Sequence, residues 1–155
     1  MLSRVHHIGI AVFDLEAAIT VYTNAFGIKE WERISLPNRH MDLAVCRIGD
    51  TLLEFITPTS EAAAFSKFLK EKGEGVHHIA YQVADVEESL RMLDGRGIRL
   101  IDAHGRPGMH DTCVAFVHPK ATMGVLTELV EVPSQHGKEA QGHVETPIAS
   151  HHGNS

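Results

Sequence analysis

Two histidine pairs and two isolated glutamates carry the chemistry that can be read from this sequence. His6-His7 and His77-His78 each open a strand-like run. Glu54 interrupts Thr-Leu-Leu-Glu-Phe-Ile, and Glu128 interrupts Val-Leu-Thr-Glu-Leu-Val. Strand side chains alternate between faces. His7 therefore shares a face with Gly9 and Ala11, and His6 goes with Ile8, Ile10 and Val12. In the second run His78 falls with Ala80 and Gln82, and His77 with Ile79, Tyr81 and Val83. The later histidine of each pair is expected to face a cleft beside small residues, and the earlier one to be structural or to support it. Glu54 lies on the face of Leu52 and Ile56, and Glu128 on that of Leu126 and Val130. An unpaired ionised carboxylate among such neighbours is costly, so each needs a cation, a strong hydrogen-bond partner or a raised pKa. His7, Glu54, His78 and Glu128 are accordingly the expected ligands of one divalent metal ion. Imidazole with carboxylate suits Zn, Mn, Co, Ni or Fe(II) rather than Ca or Mg. His104, His110 and His118 fall in or beside loops, where exposure to solvent is expected.

The elements that must position these residues come from a duplication. Val5 to Leu15 aligns without gaps on Val76 to Val86, sharing the VHHI start, a later valine and an aspartate. Each run leads into a helical pattern. Leu15, Ala18, Ile19, Tyr22 and Phe26 form one stripe, with Asp14 as N-cap and Gly27 as the stop. Val86, Leu90 and Leu93 form the other, between Asp85 and Gly97. Three strand-like runs follow each helix: 29–35, 41–48 and 51–57, then 98–102, 112–117 and 124–132. A short helix over 60–72, with Ala64, Phe65, Phe68 and Leu69 apolar, links the units. The expected fold is α+β, one domain over residues 1–132. Two tandem βαβββ modules, about 4–58 and 75–132, pair curved mixed sheets around a metal-binding cleft. Residues 133–155 are rich in Gly, Ser and His without apolar periodicity and read as a disordered tail.

Composition narrows the function. The formal charge of −6 and the lack of any basic run argue against nucleic acid. No apolar stretch approaches a membrane span and no signal pattern opens the chain, so a cytoplasmic protein is expected. Cys46 and Cys113 sit singly in apolar runs, as small hydrophobes do.

At the level of motifs the chain resembles the vicinal oxygen chelate (glyoxalase/bleomycin-resistance/dioxygenase) superfamily, and within it the methylmalonyl-CoA epimerases. HHIGIAV with its DLE helix cap and HHIAYQV are the general features. GEGVHHIA, IRLIDAHGRPG and VAFVHPKATMGVLTELVE are the more specific ones. The resemblance covers about Arg4 to Val132 and maps the family's metal ligands onto His7, Glu54, His78 and Glu128. It implies a metal-dependent isomerase that interconverts (2R)- and (2S)-methylmalonyl-CoA by proton abstraction and return through a metal-stabilised enolate. One Co, Mn, Zn or Ni ion, an acyl-CoA thioester substrate and a homodimer go with it. Glu128 is then both ligand and proton carrier. Some relatives carry a second carboxylate on the strand matching 41–48; this chain has Leu43 there. Three rival readings share the resemblance: a glyoxalase I-type lactoylglutathione lyase, an Fe(II) dioxygenase and a metal-free small-molecule binding or resistance protein. The second carboxylate ligand weighs against the dioxygenase, and the retained ligand set against the binding protein.

Overall fold

A computed structural model of the chain describes residues 1–133. The first repeat runs β1 (Arg4–Ala11), α1 (Leu15–Phe26), β2 (Glu32–Leu36), β3 (Met41–Ile48) and β4 (Thr51–Pro58). After α2 (Ser66–Lys72), the second runs β5 (Gly75–Gln82), α3 (Val86–Gly95), β6 (Arg106–Pro107), β7 (Cys113–Val117) and β8 (Leu126–Glu131). All of the expected tail 133–155 except Pro133, its four histidines included, lies outside the residues described.

The caps read from the sequence start and stop the helices. The Asp14 carboxylate accepts from Ala17 N–H and that of Asp85 from Glu88 N–H, satisfying donors that a first helical turn leaves unpaired. Gly27 and Gly97 both take φ 72°, the left-handed turn that glycine adopts without a steric penalty. After α3, Gly97 N–H and Ile98 N–H bond back to the Asp94 and Leu93 carbonyls.

All eight strands form one curled sheet in the order β2-β3-β4-β1-β5-β8-β7-β6. In each repeat the first and last strands are parallel, and β1 meets β5 antiparallel at the junction. On the outer face, Tyr22 of α1 packs on Phe55 with ring centroids 4.7 Å apart. On the same face α3 buries Val86 and Leu90 against Ala115, Val117 and Leu129. Each such side chain contributes about 2 kcal/mol by leaving water. Phe65 and Leu69, with Ala63 before them, cover the inner face over Leu43, Val45 and Ile56.

Several elements differ from the sequence expectation, β6 at Arg106–Pro107 among them, where no strand was expected. Only 66–72 of the linking segment is helical, and Ala63 rather than Ala64 is buried. Ser60 diverts the preceding residues into turns: its hydroxyl accepts from Ala62 N–H and its carbonyl from the Ser66 hydroxyl. The run 98–102 makes a single bridge, Leu100 to Val117. There the Asp102 carboxylate takes the Phe116 N–H, while Ile101 and Asp102 N–H share the Phe116 carbonyl, so a regular ladder cannot extend. β2 begins at Glu32 rather than 29, the Trp31 indole N–H being tied to the Thr23 hydroxyl on α1.

Candidate metal centre

Two rows of residues crossing the four central strands build the centre. Leu52, His7, Ala80 and Glu128 lie abreast on β4, β1, β5 and β8. On the same face, the next row is Glu54, Gly9, His78 and Leu126. Each imidazole thus stands beside a small residue of the other repeat. A Cβ on Gly9 would come within 2.6 Å of His78 Nε2 and closer still to Cε1 and Nδ1, so glycine is what lets this ring lie across β1.

The four expected ligands converge. His7 Nε2 is 3.5 Å from Glu54 Oε2, 3.2 Å from Glu128 Oε2 and 3.0 Å from His78 Nε2. His78 Nε2 is 3.1 Å from Glu128 Oε2. His7, Glu54 and His78 each present a donor atom within 4.8 Å of the other two. Their exposures are 5% for His7, 6% for Glu54 and Glu128, and 7% for His78.

Burial would raise the Glu128 carboxyl, but hydrogen bonds from His7 and His78 hold it down at about 2. Burial pushes the Glu54 carboxyl up, against the pull of the His7 charge. For His7 burial favours the neutral ring, and the bond and charges of the two glutamates more than offset it, so its pKa rises. Protons shared by His7 with the two glutamates thus offset the buried carboxylate charge. The lone pairs of His7, Glu54 and His78, one donor atom each, could hold a divalent cation, and Glu128 lies against both imidazoles. Such an ion would displace those protons on binding.

The register also breaks once on each junction strand. His6 is extra between the pairs Val5–Tyr81 and His7–Ala80, and His77 between Val76–Ile10 and His78–Gly9. A bulge re-aims its extra side chain. His6 and His77 therefore line the same cavity as His7 and His78, with each pair of Nδ1 atoms 2.9 Å apart. Strict alternation placed both on the opposite face; the bulges correct that. Burial, helped by the charge of the adjacent histidine, lowers both to about 4.

The cavity has a volume of about 920 Å³. Its rim holds Arg39, Arg47, Arg106 and the loop residue His110, whose side chain is exposed as expected. His110 Nε2 lies 2.9 Å from Glu32 Oε1, and Arg39 Nη2 donates to the Pro107 carbonyl at 2.6 Å, so the two sheet edges meet across the mouth. No local pattern in the sequence signals either contact. His104 instead lies beside Glu87, and the His118 imidazole accepts from Lys120 N–H. Leu43 points into the cavity. Asp42 turns away from it and accepts from the Ser35 hydroxyl at 2.7 Å, as strand parity requires.

Among known proteins, residues 6–116 match the sequence model of the glyoxalase/bleomycin resistance protein/dioxygenase superfamily. The human mitochondrial methylmalonyl-CoA epimerase is 34% identical over 129 residues, 83% of this chain and 73% of that one. An ethylmalonyl-CoA/methylmalonyl-CoA epimerase from Cereibacter sphaeroides is 34% identical over 135 residues, 85% of this chain and 100% of its own. A structure of methylmalonyl-CoA epimerase in complex with methylmalonyl-CoA and ammonium superposes with a TM-score of 0.79 at 35% identity. It covers 85% of this chain and 96% of that one.

Proposed function

The chain belongs to the glyoxalase/bleomycin resistance protein/dioxygenase superfamily, and from that membership we propose that it is a metal-dependent epimerase of (2R)- and (2S)-methylmalonyl-CoA. The observation that carries the reading is the pair of buried carboxylates, Glu54 and Glu128, flanking two histidines at the floor of a 920 Å³ cavity. Its relatives named as epimerases share that length of chain.

His7, Glu54, His78 and Glu128 would hold the ion. When bound, a divalent metal supplies Lewis acidity, withdrawing charge from the thioester and carboxylate oxygens on either side of the acidic carbon. The chain's own groups move the proton. Epimerisation needs a base on one face of the carbon and an acid on the other. Glu128 serves one face. We assign the other face to Glu54, the second carboxylate buried at the floor of the cavity; Leu43 offers no acid there and the Asp42 carboxylate lies outside it. One of the two starts ionised and takes the α-proton, while the other starts as the carboxylic acid and delivers its proton to the opposite face, so charge and atoms balance. Leu43, Val114 and Phe116 wall the reaction from water. Arg39, Arg47 and Arg106 on the rim suit an anionic acyl-CoA.

The test is uptake of solvent deuterium at the α-carbon during interconversion of the two epimers, with and without metal. Metal-dependent exchange is expected. Lactoylglutathione formation without exchange at methylmalonyl-CoA would replace the epimerase reading with the lyase one.

A further inference from the structure

We propose that His6 and His77, the extra residues of the two strand bulges, are positioning residues that lock the tautomers of His7 and His78. The inference rests on the metal-centre reading above and adds to it the groups that aim its two imidazoles. An imidazole can present an Nε2 lone pair to a cation only if its remaining proton sits on Nδ1, and the partner of that Nδ1–H fixes both tautomer and ring direction. In this chain the partner is another imidazole, twice. His6 Nδ1 lies 2.9 Å from His7 Nδ1, and His77 Nδ1 lies 2.9 Å from His78 Nδ1.

A bond between two Nδ1 atoms has one proton and two tautomeric arrangements. If His6 Nδ1 donates, His7 must carry its proton on Nε2, where it faces Glu54, Glu128 and His78 and no cation can be held. If His6 Nδ1 accepts, its own proton moves to Nε2, and His7 Nε2 is freed to ligate. The second arrangement is the one that matches the convergence of Nε2 and carboxylate oxygens, and the same choice holds for His77 and His78. Four imidazoles thus form a chain, His6–His7 and His78–His77, whose inner Nε2 atoms face one another at 3.0 Å.

The bulges make this possible, since on a regular strand successive side chains point to opposite faces. The rings are held in turn. His6 meets His7 edge to face at a ring-centroid distance of 5.2 Å, and His77 meets His78 in the same way. His77 also packs against Phe68 at 5.1 Å and Phe65 at 5.8 Å, so α2 fixes the angle of that pair. The same Nδ1–Nδ1 separation recurs in both repeats.

Replacing each residue by Phe keeps a ring and removes the acceptor; replacing it by Asn restores an amide oxygen that can accept from Nδ1–H. Two readouts apply. Cobalt(II) affinity, measured by competition with a chelator, should fall about 10–100-fold in His6→Phe and His77→Phe. It should recover most of that loss in His6→Asn and His77→Asn, which a purely structural role would not produce. Proton NMR of the zinc-loaded protein should show slowly exchanging Nδ1–H signals from His7 and His78, each lost in the corresponding Phe variant alone. Folded Phe variants with wild-type cobalt affinity and unchanged signals would overturn the lock. Equal loss in the Phe and Asn variants would overturn it too, leaving only packing. If the wild-type protein takes up neither ion, the metal-centre reading fails instead. The lock is then judged in the metal-free protein, where ring nitrogen shifts should change tautomer at His7 or His78 in each Phe variant, and unchanged shifts would refute it.

Discussion

Gly9→Ala should disable the centre while leaving the fold standing. Gly9 is not held at a positive φ, so the backbone accepts alanine without strain. Lower chain entropy in the unfolded state would even favour the substitution by about 0.4–1 kcal/mol. The objection comes from one side chain. The new Cβ would sit 2.6 Å from His78 Nε2 and nearer to two other ring atoms, whereas ordinary contact begins at 3.4 Å. The imidazole must retreat by roughly 1 Å, several times the ~0.2 Å that metal–ligand distances tolerate. Overpacking of this kind costs about 1–3 kcal/mol. Offset by the backbone gain, that lowers the melting temperature by only a few degrees. Displacing a ligand costs more where function is read: about 10–100-fold in metal affinity and on the order of 100-fold in rate. Circular dichroism melting, cobalt(II) competition and α-deuterium exchange measure the three effects. Ala80→Gly, the matching site beside His7, opens space instead of filling it and should keep metal binding within a few-fold. A Gly9→Ala protein that holds cobalt and exchanges deuterium like wild type would refute the argument that this glycine makes room for His78.

Glu128→Gln should lower α-proton exchange by about 10²–10⁴-fold, the usual worth of a positioned acid–base group; near-normal exchange would remove Glu128 from the mechanism. Glu54→Gln should abolish epimerisation yet leave one epimer exchanging its α-proton through Glu128, so equal exchange of both epimers would show that another group serves the second face. Burial raises the thiol pKa of Cys46 and, together with nearby Glu131, that of Cys113. A raised value keeps the unreactive thiol form to higher pH, so iodoacetamide should label the folded protein more slowly than a free cysteine. Its rate should still climb where that of the free thiol has levelled; early levelling would contradict the burial argument. Asp85→Ala removes the acceptor of Glu88 N–H and should cost about 1 kcal/mol, a drop of a few degrees on melting.

The sequence by itself determined what depends on local periodicity. The VHHI repeats, the Asp14 and Asp85 caps and the Gly27 and Gly97 stops needed no partner elsewhere in the chain to be read. Strand parity and the cost of a buried carboxylate selected His7, Glu54, His78 and Glu128, because both arguments use only neighbours in sequence. Only the tertiary structure decided what depends on register between distant segments. His7 and His78 are 71 residues apart, and the rows that bring them together rest on which residue of β1 faces which residue of β5. The bulges at His6 and His77 are invisible locally, since an extra residue is defined only against the strand it pairs with. For the same reason the Asp102 side chain could end a strand that its own sequence favours, and His110 could reach Glu32 across the cavity mouth.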